Sequence, residues 1–475
     1  TPPPAASLCQ VTEVMSIFEL QGARHVSPLI AGALSDADYF ATLPSTSTPD
    51  NYVVTGVVTA VDSNGFYLQD PIGDGDVATS DAVFVFTGSS PSVAVADAIA
   101  VSGPVQEFFP GGTGTRNLPT TQLRSDELEV CSSGNALPAP VILGSSGRST
   151  PFTDIDPDAL TVFDPVNDGL DFFESVEAMR VTVEDAAAVA PTNRFGEIFV
   201  VANQGAASAA SGLSERGTLN IAPVDFNPEK IQIDEDTGIL DFDFPSVAVG
   251  ARLGDVTGVV GYSFGNFEVY PTSDFTGSVI PSALAAQTSA LRSGDSELLI
   301  ASYNVLNLDP EPGDGDDDAG DGRFQAVAEQ IVNNLNGPDI VGLQEVQDSS
   351  GSNDDGTVSA SGTLRTLVDE IVAAGGPSYD FIDNSFIVDG RSGGQPGGNI
   401  RTAFLYNAER VLPIGAPRPV GSQDPGSAFF GARLPLAATF LFNGASVTVV
   451  NNHFSSKGGS APIFGFAQDF AARQE

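Results

Sequence analysis

Apolar residues along this chain fall mainly in short runs, each closed by Gly, Asp, Asn or Pro. From Ile17 to about Val130 such runs predict strands at Tyr52 to Val61, Gly65 to Asp70, Ala82 to Thr87, Ala98 to Val105 and Gln122 to Val130. The run Val54-Thr55-Gly56-Val57-Val58 recurs as Val256-Thr257-Gly258-Val259-Val260, and further strands are predicted near Met179 to Val183 and Glu197 to Val201. Pro271 to Ser296, rich in Ser, Ala, Gly and Thr, reads as a linker. After it the period changes. Phe324, Val327, Ala328, Ile331, Val332 and Leu335 share one helical face, and so do Leu364, Leu367, Val368 and Ile371. Strand-like runs alternate with these helices at Leu298 to Val305, Ile340 to Gln344, Thr402 to Tyr406 and Ser446 to Asn451.

This pattern predicts a multidomain protein. A lead-in covers 1–16, and the strands of 17–135 suit a small closed β-barrel of the OB type. A second β-rich domain spans 136–272, and the Val-Thr-Gly-Val-Val echo favours a second OB-like barrel there. The linker covers 273–297, and an α/β domain fills 298–475. With 475 residues the chain is long enough for two to four such cores. No apolar run approaches the length of a membrane-spanning helix.

Charge narrows the class. The formal net charge is -42, and the two lysines, Lys230 and Lys457, leave arginine to supply nearly all the positive charge. Such a surface stays soluble but repels polyanions at low salt. A saline, marine-type setting shortens that repulsion and reconciles it with a phosphate-bearing partner. The two cysteines, Cys9 and Cys131, bracket the first predicted domain. They predict either a disulfide, which points to an extracellular or cell-surface location, or two unrelated buried thiols. Thr1-Pro2-Pro3-Pro4 reads as a mature terminus after leader removal.

Several residues carry chemistry. Glu345 ends the buried-type run Ile340-Val341-Gly342-Leu343, where a carboxylate emerges at the sheet edge. Hard oxygen ligands of that kind suit Mg²⁺ or Mn²⁺, with Ca²⁺ as a further option. His453, one of two histidines, follows the strand Ser446 to Asn451 within Asn451-Asn452-His453-Phe454-Ser455-Ser456-Lys457-Gly458-Gly459. Lys457, isolated among acids, could donate to a phosphate oxygen. Arg401, after Gly397-Gly398-Asn399-Ile400, offers a planar fork suited to phosphate. Asp70, Asp74 and Asp76 alternate around glycine in a loop able to wrap calcium, although the bidentate Glu of an EF-hand is missing. A denser run from Asp309 to Asp321 reads first as a solvated loop, with calcium as the alternative. Phe66, Tyr67, Phe84 and Phe86 are either barrel core or a stacking platform for single strands, with core the stronger reading.

Ser302-Tyr303-Asn304-Val305, the Gln344-Glu345-Val346 strand end and the Asn452-His453 segment together resemble the endonuclease/exonuclease/phosphatase superfamily, which includes secreted bacterial nucleases. Gly65-Phe66-Tyr67-Leu68-Gln69-Asp70-Pro71 resembles the OB-like domain found upstream of such nuclease domains. The resemblance implies a two-sheet α/β sandwich at 298–475. It implies Glu345 as the principal metal ligand, Asn304 helping to hold metal and phosphate, and His453 at the scissile phosphate. Asn399, Arg401 and Arg433 fall at positions the family places beside substrate phosphate. The implied activity is that of a metal-dependent phosphodiesterase acting on DNA or RNA. A non-catalytic acidic binding protein on the same scaffold and an extracellular phosphatase remain alternatives. The family's later Gly-Asp-x-Asn and Ser-Asp-His motifs do not occur after His453. The sandwich is therefore expected to be incomplete, with a further C-terminal segment needed to finish it. DNA or RNA preference, metal identity and oligomeric state are not legible.

Overall fold

A computed structural model describes residues 7–115, 117–206, 212–221, 225–391, 395–430 and 432–454. The chain is mostly β-sheet and divides into two compact units, Thr1–Leu284 and Ala285–Glu475. Among the described residues no helix is long and apolar enough to cross a membrane.

The N-terminal unit opens with three short helices, α1 (Ile17–Gln21), α2 (Pro28–Ala31) and α3 (Asp36–Thr42). Ser16, Ser27 and Ser35 precede them as N-caps. Strands β1 (Tyr52–Val61), β2 (Gly65–Gln69) and β3 (Ala82–Phe86) form an antiparallel meander. The predicted strand Ala98 to Val105 is broken at Pro104 into β4 (Ala98–Gly103) and β5 (Val105–Phe108). The predicted strand Gln122 to Val130 likewise divides into β6 (Thr120–Arg124) and β7 (Glu127–Ser132). Proline cannot donate to a ladder, so the run changes partners at Pro104. β4 pairs with β1, whereas β5 pairs with β6, which lies parallel to β3. The corner needs glycine, because a Cβ on Gly103 would lie 1.7 Å from the Arg124 carbonyl oxygen. The sheet path therefore closes on itself through the chain at Pro104.

A second sheet follows, from β8 (Val141–Leu143) through helix α4 (Gly169–Glu174) to β9 (Arg180–Ala188), β10 (Ile198–Val201), β11 (Ile231–Ile233), β12 (Arg252–Ser263) and β13 (Asn266–Pro271). Here β9 pairs with β10, β10 with β11, β11 parallel with β13, β13 with β12, and β12 back with β9. The two Val-Thr-Gly-Val-Val runs do not occupy equivalent places: the first lies on β1 and the second on β12, the fourth strand of its ring. The echo thus reflects shared β-forming composition.

The C-terminal unit contains β14 (Ile300–Leu308), helix α5 (Arg323–Glu329), β15 (Ile340–Val346), helix α6 (Ser361–Ala373), β16 (Tyr379–Ile382), β17 (Arg401–Asn407), β18 (Leu412–Pro413), β19 (Arg418–Pro419), β20 (Leu436–Phe442) and β21 (Ala445–Asn451). The α5 face predicted to Leu335 continues as a wider π-type turn over Gln330–Asn334. One sheet runs β14-β15-β17-β16, and in the other β18, β19 and β21 flank β20. Alternation along the central strands sends successive side chains to opposite faces. Val341, Leu343, Ala403 and Leu405 pack beneath Phe324, Ile331, Leu364 and Ile371 of the helical layer. Ile340 and Phe404 instead meet Leu436, Ala438 and Phe440 of the second sheet. Each buried Val, Leu, Ile or Phe among these contributes about 1.5–3 kcal/mol, and each Ala less. Two sheets packed face to face with helices outside one of them put the ends of β14, β15 and β21 at a common rim.

Candidate active site

β14 and β15 run parallel with Asn304 opposite Gln344, and the register slips directly after that pair. Against β17 the register slips between Leu343 and Val346. Glu345 lies in that slip at φ +60°, and Leu306 and Asn307 follow Asn304 at φ +55° and +56°. Bulges of this kind re-aim side chains at sheet rims. Here the bulge leaves Gln344 buried between the sheets and turns Glu345 to the partly exposed rim.

Three sequence-predicted residues meet there. Asn304 Nδ2 donates to Glu345 Oε1 at 2.9 Å, while its own Oδ1 accepts from the Leu306 N–H at 2.8 Å. The amide nitrogen of Asn304 therefore faces the carboxylate. His453 Nε2 lies 3.3 Å from the same Glu345 oxygen, and His453 Nδ1 is buried without a partner among the described residues. Burial, then the neighbouring Arg433 charge, lower the His453 pKa further than Glu345 raises it. Both effects favour the neutral imidazole. Arg433 also donates to the Phe454 carbonyl at 3.1 Å, which ties it to the histidine segment.

The support beneath these groups was not foreseen. Asn451 closes β21 and is buried; its Nδ2 donates to the Leu343 carbonyl at 2.8 Å and the Ala403 carbonyl at 3.0 Å. Its Oδ1 accepts from Gln344 Nε2 at 2.6 Å. Gly342 leaves room for it, since a Cβ there would already lie 3.2 Å from the Asn451 side chain. The available signal was a polar residue ending an apolar strand, adjacent to the histidine motif.

The remaining predicted residues are distributed differently. Arg401 is 1% exposed; its Nη1 meets Asp383 at 3.1 Å, and its Nε and Nη2 have no partner among the described residues. Burial lowers its pKa, with Asp383 opposing. Arg401 thus lies in the protein interior beside Asp383. Asn399 is buried too and donates to Asp348 at 2.9 Å and the Thr357 carbonyl at 2.9 Å, so it organises loops. Lys457 lies outside the described residues.

In the loop after β2, Asp70, Asp74 and Asp76 accept hydrogen bonds from backbone N–H groups within their own turns. Among the described residues the carboxylates whose oxygens converge, within 4.8 Å of one another, belong instead to Asp309, Asp314 and Asp316. Asp309 is not the solvated residue a charge run suggests. It is 1% exposed, and burial together with Asp314, Asp318 and Asp316 pushes its pKa up to about 7.

The other histidine, His25, is buried more deeply than His453. His25 Nε2 lies 2.6 Å from Asp171 and Nδ1 3.2 Å from Glu174, both on α4. Burial opposes its charge, but these two carboxylates overcome it and hold its pKa at about 10. Two acids spaced i, i+3 beside Phe172 and Phe173 were the sequence signal. Phe66 and Tyr67 are both buried in core, with Phe84 packed against the cluster that holds Tyr67; Tyr67, Phe84 and Phe86 also line a cavity of about 370 Å³ together with Asp62, Glu177 and Asp236. Carboxylates at its wall suit it poorly to a phosphate backbone.

A family model described as a domain of unknown function (DUF8508) matches residues 114–281. No curated protein matches the chain. Among solved structures, humanized D. rerio TDP2 carrying 14 mutations is 19% identical, over 34% of this chain and 51% of that one, with a TM-score of 0.21. D. rerio TDP2 complexed with a single-strand DNA product is 20% identical, over 34% and 48%, with a TM-score of 0.22. The chain spans about half the length of these solved structures.

Proposed function

We propose that residues 298–475 carry the catalytic site of a divalent-metal-dependent phosphodiesterase of the endonuclease/exonuclease/phosphatase type, and that the protein is an extracellular nuclease. The carrying observation is the meeting of Asn304, Glu345 and His453 at one rim, with Glu345 Oε1 2.9 Å from one and 3.3 Å from the other.

A hard divalent cation fits this donor set, because Glu345 Oε2 has no hydrogen-bond partner among the described residues and its side chain is one-fifth exposed. Mg²⁺ or Mn²⁺ held by Glu345, with Asn304 beside it, supplies neutralisation of the phosphate and a more acidic water. Asn304 fixes Oε1 and so leaves Oε2 as the outward ligand. Neutral His453 can give one N–H to a phosphate oxygen or accept a proton at its other nitrogen. Arg433 adds positive charge beside His453, and Lys457 is a further donor four residues beyond it. Arg401, in this reading, positions the β17 end rather than gripping substrate.

The N-terminal rings support two OB-like domains, at 17–135 and 136–272, because each follows the OB connectivity: a meander, a parallel pairing of third and fifth strands, and closure through the fourth. The linker is then 273–297. At the outer edges of their sheets, β14 and β21 expose Ile300, Leu306 and Val450, which fits a sandwich continued by further strands. The Cys9–Cys131 disulfide supports an oxidising, extracellular location, and the net charge of -42 a saline one.

Plasmid nicking by the full-length protein in Mg²⁺ or Mn²⁺, with and without chelator, tests this reading. Chelator-sensitive nicking that disappears in Glu345→Gln and His453→Ala is the expected result. A wild type that cleaves no nucleic acid in either metal overturns it: release of phosphate from small monoesters would then indicate a phosphatase, and no hydrolysis at all an acidic binding protein.

A further inference from the structure

We propose that Asp309, Asp314 and Asp316 form a calcium-binding site that pins the loop after β14 to the loop after β15. This site is separate from the Glu345 centre and does not depend on the nuclease reading.

The sequence Asp309-Pro310-Glu311-Pro312-Gly313-Asp314-Gly315-Asp316 lets the backbone fold tightly back on itself. One oxygen from each of the three carboxylates falls within 4.8 Å of the others. Like charges at that spacing repel strongly, and a group of this kind on a surface would ordinarily splay into water. Here it does not. Asp309 is 1% exposed, its Oδ1 accepts from the Glu311 N–H at 2.9 Å, and its buried Oδ2 has no hydrogen-bond partner among the described residues. Asp314 Oδ2 accepts from the Ser352 N–H at 2.5 Å, while its Oδ1 is buried and likewise without a hydrogen-bond partner among the described residues. Buried polar atoms are almost always satisfied, so two orphaned carboxylate oxygens in one acidic cluster point to a missing positive partner.

No side chain fills that role among the described residues. Arg323, the cation closest in sequence, gives Nη1 to Asp318 at 2.6 Å and Nη2 to the Val305 carbonyl at 2.8 Å. Asp318 in turn accepts from the Asp309 N–H at 3.1 Å. This pair braces the loop; Arg323 favours the Asp316 carboxylate only at longer range and makes no hydrogen bond to Asp309, Asp314 or Asp316.

The donor set selects the ion. It consists of carboxylate oxygens on an irregular Gly- and Pro-rich loop, with no imidazole, because His25 and His453 are engaged elsewhere, and no thiolate, because Cys9 and Cys131 are bonded to each other. Zinc prefers nitrogen and sulfur, and magnesium demands a near-ideal octahedron, whereas calcium accepts six to eight oxygens in flexible geometry. Besides the Ser352 N–H, the Ser352 hydroxyl donates to the Asp314 carbonyl at 3.0 Å. An ion at the cluster therefore joins two loops, one leading from Asn304 and the other carrying Asp348, the buried partner of Asn399.

Calorimetric titration of the chelator-stripped full chain with CaCl₂, in 0.5 M NaCl with excess Mg²⁺ to saturate weak surface sites, tests the proposal. We expect a site that Asp314→Asn removes and that Asp316→Asn weakens at least about tenfold, with calcium raising the melting temperature of the wild type alone. Asp316 is exposed, so its variant keeps the fold even where Asp314→Asn does not. Glu345→Gln and Asp74→Asn should bind calcium as the wild type does. Unchanged calcium binding in Asp316→Asn, loss in Asp74→Asn or Glu345→Gln instead, or no binding by the wild type would each overturn it.

Discussion

Gln344 Nε2 donates to Asn451 Oδ1 at 2.6 Å, joining the end of β15 to the end of β21 across the interior between the two sheets. Glu345 is the next residue on one strand, and His453 lies two residues beyond the other. A single buried amide pair therefore sets the spacing between the carboxylate and the imidazole. It also explains why a glycine, Gly342, faces the second sheet between Ile340 and Gln344.

Replacing Asn451 by Ala leaves the Leu343 and Ala403 carbonyls without its donor group in a buried place. The expected loss is about 1–3 kcal/mol, read from the urea midpoint of the C-terminal transition. Asn451→Asp should be worse, because a carboxylate would face two carbonyl oxygens. Equal midpoints for wild type and both variants would show that the pair does not hold the sheets.

Arg401 and Arg433 should separate cleanly. Arg401→Ala breaks a buried pair with Asp383 and should cost about 2 kcal/mol, below the usual 3–5 because Asp383 keeps partial access to water. Arg433→Ala removes the bond to the Phe454 carbonyl and should cost about 1 kcal/mol, less than Arg401→Ala, while reducing catalysis, since it sits half-buried beside His453. Thermal melts and nicking rates on the same preparations decide. A stable but inactive Arg401→Ala would return that residue to direct phosphate binding.

The N-terminal unit should lose stability as pH rises above about 5. His25 ordinarily titrates at 6.5 but is held at about 10 in the fold, so its contribution is complete below 6.5 and lost as pH climbs through 10. Burial raises Glu107 from 4.5 to about 8, against hydrogen bonds from Ser27 and Thr121, so the fold prefers its neutral form and weakens across that range. Glu174 and Glu177, packed in the same interior, shift upward for the same reason. Glu184 is lowered to about 2, chiefly by Asn203, and opposes this trend only in acid. Calorimetry from pH 4 to 10 should place the maximum near pH 5, and a His25→Gln variant should flatten the alkaline limb. A melting temperature that rises from pH 5 to 9 would contradict this account.

Cys9 and Cys131 are bonded across 122 residues of sequence. Loop entropy alone assigns such a closure about 4–5 kcal/mol, although strain and residual unfolded structure reduce measured values. Cys9→Ser/Cys131→Ser should lower the N-terminal transition by several degrees and leave the C-terminal one in place. A shift confined to the C-terminal transition would disprove the assignment.

How much of this was legible follows from what each feature depends on. The strand Tyr52–Val61 appears with the predicted bounds, because alternating Val and Thr between turn residues is a local signal. The helical faces of α5 and α6 were legible for the same reason. The break at Gly103–Pro104 was not, because the run is apolar on both sides and only the change of partner strand, from β1 to β6, reveals the corner. The Val-Thr-Gly-Val-Val echo marked two strands but not their places: composition reports that a segment forms a strand, not which place it takes in a ring.

The same division holds at the site. Sequence by itself determined the chemical types, an Asn, a Glu and a His each near a strand end, because residue identity and local period are properties of a few neighbouring residues. Only the tertiary structure decided that a bulge turns Glu345 outward, that Asn451 is the clamp beneath it, that Arg401 is buried and that Asp309 is a deeply placed acid in a run expected to be solvated. Those outcomes depend on desolvation and, at the Glu345 rim, on contacts between segments from 41 to 108 residues apart. No local pattern encodes such distances.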